Sequence, residues 1–259
     1  MTETIDITVD DAWFEGHFPG RPILPGVSQL ALILDALTRH RGRPVVLNRI
    51  GFARMRQPVV PGDRLRLTAD DRPDGALRVT LAREGTTVTN AELRLGHLLI
   101  ETPPPVLASG TAMNDAPPVE TLLPHQPPMR FVTSLAAESA EGLTCSARIP
   151  ARCALVAQGT APAVAAIEAA AQTAALWEAT RRFREGGAAP PRLGYLVGLR
   201  EVRFFAQRIP AEASFFATVR LEAATLPLTH YAMQIDLGST PVLCGTLATF
   251  LTDEAMPAG

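Results

Sequence analysis

The stretch FEGHFPGRPILPGVSQLALILDALTRH, residues 14–40, decides the fold of this chain. Its first part is rich in Gly and Pro, a composition that predicts a loop. From Val27 onward the residues are apolar at helical spacing, and Arg39 and His40 stand in the predicted last turn, where positive charge is favourable. A helix that is apolar on nearly every face belongs in a protein core. We therefore expect a sheet to wrap around this helix.

The second half of the chain repeats this order of elements. A long helix of strong helix formers is predicted at 160–183, ahead of a stop at Gly186 and Gly187. Strand-like runs follow both helices. The predicted strands are residues 3–10, 44–55, 63–70, 76–85, 91–102, 142–150, 196–206, 213–224, 229–238 and 241–251. The prediction is an α+β fold, a pair of antiparallel sheets that each wrap around a long central helix.

A proline-rich segment separates the two halves. Residues 101–118, ETPPPVLASGTAMNDAPP, contain five prolines and no periodic pattern. We predict a linker at 102–118 between an N-terminal half at 1–101 and a C-terminal half at 119–253.

The composition limits the class of protein. With 259 residues, of which 47% are hydrophobic, the chain has ample material for a core. A net charge of −2 argues against a nucleic-acid or polybasic membrane protein, and all 24 basic residues are Arg, which excludes lysine chemistry. Cys145, Cys153 and Cys244 have no metal-ligand spacing, so neither disulfides nor structural zinc are predicted. Without a secretory signal or a long apolar run, we expect a cytoplasmic protein.

Glu168 is the first residue that could carry chemistry. Its neighbours at helical spacing include Val164, Ala165 and Ala171, and little nearby could solvate a charge. A buried carboxylate raises its pKa or finds a partner. Glu168 could equally lie on an exposed edge of an alanine-rich helix. Gln172, one turn further on, could orient the carboxyl group or be a buried structural amide.

His17 lies in the Gly- and Pro-rich loop, nine residues before Gly26. A lone loop histidine is more often solvated or structural than catalytic. Gly26, however, opens the first helix, where its N–H can approach a ligand closely and the helix N-terminus favours developing negative charge. A histidine beside such a site suits proton abstraction next to a carbonyl group.

These segments carry a family resemblance. FEGHFPGRPILPGVSQL (14–30) resembles the signature of the hot-dog-fold 3-hydroxyacyl-[acyl-carrier-protein] dehydratases of fatty-acid synthesis, and ARMRQPVVPGDRLRL (53–67) is similar to the segment that follows it. LLPHQPPMRFVTSL (122–135) resembles the family's opening segment, and IEAAAQ (167–172) its helix motif with a catalytic Glu. The whole resembles a double hot dog, as in polyketide-synthase dehydratase domains, and a fusion of the paired dehydratase subunits of aryl polyene biosynthesis.

The resemblance implies a single composite site. In that family the loop histidine of one protomer meets the helix carboxylate of its partner, fourteen residues further along its own motif. Fourteen residues after His17 this chain has Ala31, and fourteen before Glu168 it has Ala154. If the halves dock as that dimer does, His17 and Glu168 form one site, and the position with the two alanines is inert.

The resemblance also implies a reaction, the dehydration of a (3R)-3-hydroxyacyl thioester to the trans-2-enoyl thioester without metal or redox cofactor. His17 is expected to take the C2 proton, while the Gly26 N–H holds the thioester carbonyl. Glu168 is expected to protonate the departing C3 hydroxyl, with its pKa raised by apolar surroundings. Gln172 is expected to bind substrate. His125, in LLPHQPP, matches a position that is not catalytic in that family. Asp35 is expected to be structural, and His40, His97 and His230 are expected to be structural or at the surface.

The implied partner is an acyl carrier protein with a phosphopantetheine-linked acyl chain. Neither a nucleic acid nor a membrane is implied as a partner. Its basic docking patch could be Arg39, Arg41 and Arg43 or Arg181, Arg182 and Arg184. Such runs at helix C-termini are usually solvated partners of the helix dipole. Beyond the pseudo-dimer within one chain, oligomerisation is left open. Two rival functions are a hot-dog thioesterase, which has no use for the loop histidine, and a non-catalytic acyl-carrier-protein-binding scaffold.

Overall fold

The structure, a computed structural model, describes residues 2–100, 103, 105–106, 110–113, 117–184 and 192–255. The elements of the first half are β1 (Thr2–Thr8), α1 (Gly26–Arg41), β2 (Leu47–Met55), β3 (Arg64–Asp71), β4 (Ala76–Arg83) and β5 (Thr86–Leu95). The elements that follow are β6 (Thr111–Ala112), α2 (Val119–Leu122), β7 (Val132–Glu138), β8 (Gly142–Ala147), β9 (Thr160–Pro162), α3 (Ile167–Arg184), β10 (Arg192–Phe204), β11 (Arg208–Pro210), β12 (Phe215–Thr225), β13 (Leu228–Leu237) and β14 (Thr240–Ala255).

The first long helix begins and ends where the sequence predicts. The second begins at Ile167, seven residues after the predicted start at residue 160, because residues 160–162 pair with β11 as β9. Pro25 precedes α1, and Gly42 ends it in a left-handed conformation with φ of 64°, which glycine adopts without steric cost. A 3-10 turn at Ala163–Ala166 leads into α3. That helix is described as far as Arg184, and the predicted stop at 186–187 lies outside the described residues.

One continuous sheet runs through both halves. Among the described residues, twelve strands pair antiparallel in the order β1-β3-β4-β5-β2-β10-β14-β13-β12-β8-β7-β6, while β9 pairs with β11 separately. The half-sheets meet where β2 pairs with β10, with Ala53 opposite Leu199 and Ile50 opposite Val202, all four buried. The predicted double hot dog is confirmed, and the two expected sheets are joined at this seam into a shared core.

The remaining predictions about organisation have a mixed outcome. Parts of the expected linker at 102–118 lie outside the described residues, and β6 within it pairs with β7. Cys145, Cys153 and Cys244 are buried thiols. No helix in the described part of the chain is both long and apolar enough to cross a membrane.

Candidate active site

A cavity of about 450 Å³ lies between the two halves of the chain. His17 and Gly26 line it from the first half, and Glu168 from the second. It continues along one face of α3, and residues of β10 and β14 form its other wall. The structure therefore brings the two predicted catalytic residues together.

His17 is positioned by a loop that packs against the other half. The carbonyl of Gly16 accepts a hydrogen bond from the N–H of Gln126 at 2.9 Å, and Gly16 has φ of +81°. A Cβ at Gly16 would lie 2.1 Å from the carbonyl oxygen of Gln126, so only glycine allows this approach. The glycine of the sequence GHF thus allows two backbone segments to cross closely. This crossing brings the His17 ring to the interface between the two halves.

One nitrogen of His17 is fixed by the backbone. Its Nδ1 lies 2.8 Å from the carbonyl oxygen of Ile23, and a carbonyl only accepts, so Nδ1 carries the proton. Nε2 is left with the lone pair that a general base needs. Burial lowers the pKa of His17 to about 4, against the raising effect of Glu168, so the imidazole is neutral near pH 7. This state suits proton abstraction.

Glu168 lies in the first turn of α3 and is only 3% exposed. Its Oε1 lies 3.2 Å from Nε2 of His125 and accepts a hydrogen bond from Nε2 of Gln172 at 3.1 Å. Both partners converge on one oxygen of the carboxyl group. The alternative of an exposed edge position is excluded.

The expected rise in the pKa of Glu168 is wrong. Burial acts to raise this pKa, but the hydrogen bonds from His125 and Gln172 act against burial, and the net direction is a lowered pKa. The apolar helix neighbours were the basis for the expectation, whereas the deciding group comes from a loop that is distant in sequence. The shift is therefore opposite in direction to the one expected.

Gln172 is not among the residues that line the cavity, and its expected role in binding substrate stays a prediction. Its Oε1 accepts from the N–H groups of Phe131 and Val132, at 2.9 and 3.2 Å. Its Nε2 donates to the carbonyl of Met129 at 2.7 Å and to Glu168. These four bonds use the full capacity of the amide. Gln172 therefore ties a loop of the second half to α3 and orients the carboxyl group.

Gly26 is placed to bind an oxyanion. It is the first residue of α1 and lines the cavity, and its N–H has no acceptor within the helix. A Cβ there would lie 3.2 Å from two side-chain atoms of Met55, so glycine keeps this wall open. The counterpart in the second half, Ala163, instead donates its N–H to the carbonyl of Gln207 at 2.8 Å.

His125 is the residue that the sequence analysis set aside. It is 5% exposed, lines the cavity, and contacts Glu168 through Nε2. It stands 43 positions before Glu168 in LLPHQPP, so no helical or strand spacing links the two. Only its place in a segment that resembles the family's opening drew attention to it.

The cluster also consists of potential metal ligands. One ligand atom each of His17, His125 and Glu168 lies within 4.8 Å of the other two. Imidazole nitrogens and carboxylate oxygens are common ligands of Zn²⁺. Ligand atoms about 2.0–2.1 Å from one ion, however, would have to lie closer to one another than 4.8 Å. The same donors are already arranged for acid–base chemistry.

The arginines offered as a docking patch are largely engaged. Arg39 pairs with Asp35 at 2.9 Å, and Arg184 pairs with Glu138 at 2.6 Å. Arg181 stacks over Trp177, with its guanidinium carbon 4.7 Å from the ring centroid. Of the other arginines, Arg41 pairs with Glu3 and Asp71, and Arg182 lines the cavity. The histidines His40, His97 and His230 are not among the residues that line the cavity. These contacts favour the structural interpretation of both runs.

Two family models match the chain, one in each half. The ApeP-like model, described as ApeP dehydratase, matches residues 117–257, and the ApeI-like model, described as ApeI dehydratase, matches residues 1–91. The predicted resemblance to paired dehydratases fused in one chain is thereby confirmed.

Curated relatives match a shorter part. A 3-hydroxyacyl-[acyl-carrier-protein] dehydratase FabZ of Rhodospirillum rubrum is 41% identical over 71 residues, 24% of this chain and 44% of the relative. The enzyme of the same name from Brucella melitensis is 44% identical over 70 residues, 24% of this chain and 45% of the relative. The chain spans less than half the length of these curated relatives.

Solved structures with the same fold cover almost the whole chain. The dehydratase domain of PpsC from Mycobacterium tuberculosis, in complex with C12:1-CoA, superposes with a TM-score of 0.70 at 18% identity, over 97% of this chain and 93% of that one. A monomeric dehydratase domain from a trans AT polyketide synthase split module gives 0.71 at 12% identity, over 97% and 98%. At these identities the likeness concerns the fold alone.

Proposed function

Because the chain belongs to the ApeP-like dehydratase family, we propose that it converts a (3R)-3-hydroxyacyl thioester to the trans-2-enoyl thioester in fatty-acid, polyene or polyketide-type biosynthesis. The observation that carries this proposal is the meeting of His17 and Glu168, one from each half, in a single cavity. A neutral imidazole and a carboxyl group within 4.8 Å are the pair that an elimination across two adjacent carbons requires.

The proposed roles follow from which atoms are free. Nε2 of His17 takes the C2 proton, since Nδ1 is held by Ile23. The N–H of Gly26 receives the thioester carbonyl as enolate charge develops, because a helix N-terminus favours negative charge. Glu168 gives the proton with which the C3 oxygen leaves as water. Gln172 holds that carboxyl group in place.

The proposed substrate is carried by an acyl carrier protein in the cytoplasm. The curated relatives described above are named as dehydratases of acyl-carrier-protein thioesters, which supports a phosphopantetheine-linked acyl chain. Arg21 and Arg56 are exposed and line the cavity, so cationic groups stand where an anionic phosphopantetheine arm would enter. Apolar residues of β10 and β14 line the rest of the channel for the acyl chain.

The test is mass spectrometry of a (3R)-3-hydroxyacyl carrier-protein thioester incubated with wild type, His17→Ala, Glu168→Ala, or an equimolar mixture of the two variants. Wild type should remove one water, and each variant should be about 10²–10⁴-fold slower. The mixture should stay inactive, since both groups come from one chain. His230→Ala and Asp35→Ala, away from the cavity, are matched controls that should keep activity.

Three results would overturn the proposal. Release of free thiol by wild type would indicate a thioesterase, and binding without product would indicate a scaffold. Activity in the mixture would show that the site forms between chains.

A further inference from the structure

His125 is a buried imidazole to which the reaction above gives no role. Its Nε2 lies 3.2 Å from Oε1 of Glu168. Its ring centroid is 5.2 Å from that of His17 and 4.8 Å from that of Phe18. It therefore stands against both members of the proposed catalytic pair.

The contact with His125 fixes how Glu168 is presented. Oε1 is engaged by His125 and by Gln172, whereas no hydrogen bond to Oε2 is found within the described residues. A carboxyl group held at one oxygen by two partners has a defined orientation. The other oxygen is left for the substrate.

Of these two partners, only His125 can exchange a proton with Glu168. The amide of Gln172 donates without ionising, whereas Nε2 of an imidazole can donate to a carboxylate or accept from a carboxylic acid. A separation of 3.2 Å suits either arrangement. A proton on this pair can therefore move between the two residues without rearrangement of the site.

The other nitrogen of His125 argues against a merely structural role. Nδ1 is buried and has no hydrogen-bond partner in the described part of the chain. An unpaired buried polar atom is destabilising, so an imidazole kept only for its hydrogen bonds would have both nitrogens satisfied. The contribution of the His125 ring to the site is therefore its contact with Glu168 through Nε2.

We propose that His125 is a positioning residue for the dehydration: it holds Glu168 by Oε1 and stores the proton that this carboxyl group gives to the departing C3 hydroxyl. This inference rests on the proposed dehydratase function. Glu168 gives up a proton in every turnover, so the next turnover needs a proton source in contact with it, and His125 is such a contact. His17 cannot be that source, because it must be neutral to act as base.

The step balances as follows. The proton of protonated His125 moves to Glu168. The C2–H bond breaks toward Nε2 of His17, its electron pair forms the C2=C3 bond, and the C3–O bond breaks as the oxygen takes the proton from Glu168 and leaves as water. The proton on His17 is then lost to solvent and His125 takes a proton from solvent, so one turnover needs no net proton.

The test compares two leaving groups, hydroxyl and fluoride, on otherwise identical 3-substituted acyl thioesters. Fluoride leaves as an anion and needs no acid. His125→Gln, which keeps an N–H donor but stores no proton, and His125→Phe should slow loss of water about 10²–10⁴-fold while slowing loss of fluoride less than about tenfold. Glu168→Gln should show the same selectivity, and His17→Ala should lose both reactions.

Phe18→Leu is the packing control, since Phe18 contacts both imidazole rings but carries no proton. It should change both eliminations by the same factor. If the His125 variants slow both eliminations by the same factor, His125 acts through packing alone. If His125→Gln eliminates water at the wild-type rate, His125 does not store the proton. Either result overturns the inference. If wild type eliminates neither group, the proposed function itself fails.

Discussion

At the scale of the residue, the site depends on which atom of each ionisable group is occupied. The backbone carbonyl of Ile23 accepts a hydrogen bond from Nδ1 of His17, and Gln172 and His125 both contact Oε1 of Glu168. Each functional side chain is thereby held at one atom and left available at another. Packing alone would hold the rings but would not select the reactive atom.

Burial of His17 should make the protein less stable as the pH falls. Its pKa is about 4 when folded and near 6.5 when unfolded, so between these values the unfolded chain binds more protons. The free energy of unfolding should therefore decrease from pH 6.5 toward pH 4, by up to about 3 kcal/mol. Urea unfolding of wild type and His17→Asn at pH 7.5 and pH 4.5 measures this. An equal decrease in both proteins would contradict it.

Removal of the Gln172 amide should cost both stability and activity. Gln172→Leu leaves the N–H groups of Phe131 and Val132 and the carbonyl of Met129 buried without partners. The expected loss is about 3 kcal/mol by urea unfolding, with slower turnover because Glu168 loses a partner. Gln126→Leu, whose side chain is exposed in the preceding loop, is the control and should change the free energy by less than about 0.5 kcal/mol.

At the scale of the element, α3 both carries the acid and shapes the channel. Glu168, Ala171, Ala175, Glu178 and Arg182 all line the cavity from this helix. At 1.5 Å per residue this face extends about 21 Å from the carboxyl group. The alanines keep the channel open where larger residues would close it.

Ala175→Phe should shorten the acyl chains that the enzyme accepts. The phenyl ring would occupy the channel beyond the carboxyl group without contacting His17 or Glu168. We expect kcat/KM to fall about 10–200-fold for long acyl thioesters and little for short ones. Ala175→Val should give a smaller effect in the same direction. A uniform loss across chain lengths would mean that the acyl chain takes another path.

At the scale of the whole molecule, the two halves bring His17 and Glu168 into one cavity, and we propose that the counterpart position is inert. The seam between β2 and β10 fuses their cores, so the loop of one half faces the helix of the other. We propose that the boundaries at 1–101 and 119–253 separate a half that supplies the base from a half that supplies the acid. The counterpart has Ala31 and Ala154 where these groups would stand.

Restoring the missing pair at the inert position should not restore activity. In the triple variant Glu168→Ala, Ala31→Glu and Ala154→His, the oxyanion donor is still lacking, because the N–H of Ala163 is bonded to Gln207. We expect no enoyl product above the level of Glu168→Ala alone. The single variants Ala31→Glu and Ala154→His in the wild-type background show whether each substitution is tolerated. Turnover by the triple variant would show that the counterpart needs only these two side chains.

The sequence by itself determined the two helices, most of the strand runs and the pairing of His17 with Glu168, but it missed β7 and placed β5 at 91–102 instead of Thr86–Leu95. The helices and strands follow from local periodicity, and the pairing follows from a family motif. Both depend on patterns among residues that are close together in the chain. The tertiary structure alone decided the partners of those residues. His125 reaches Glu168 across 43 positions and reverses the expected direction of its pKa. The backbone partners of the Gln172 amide are likewise about 40 positions away in the chain. Long-range contacts set the electrostatics of a buried group, and no spacing in the chain records them.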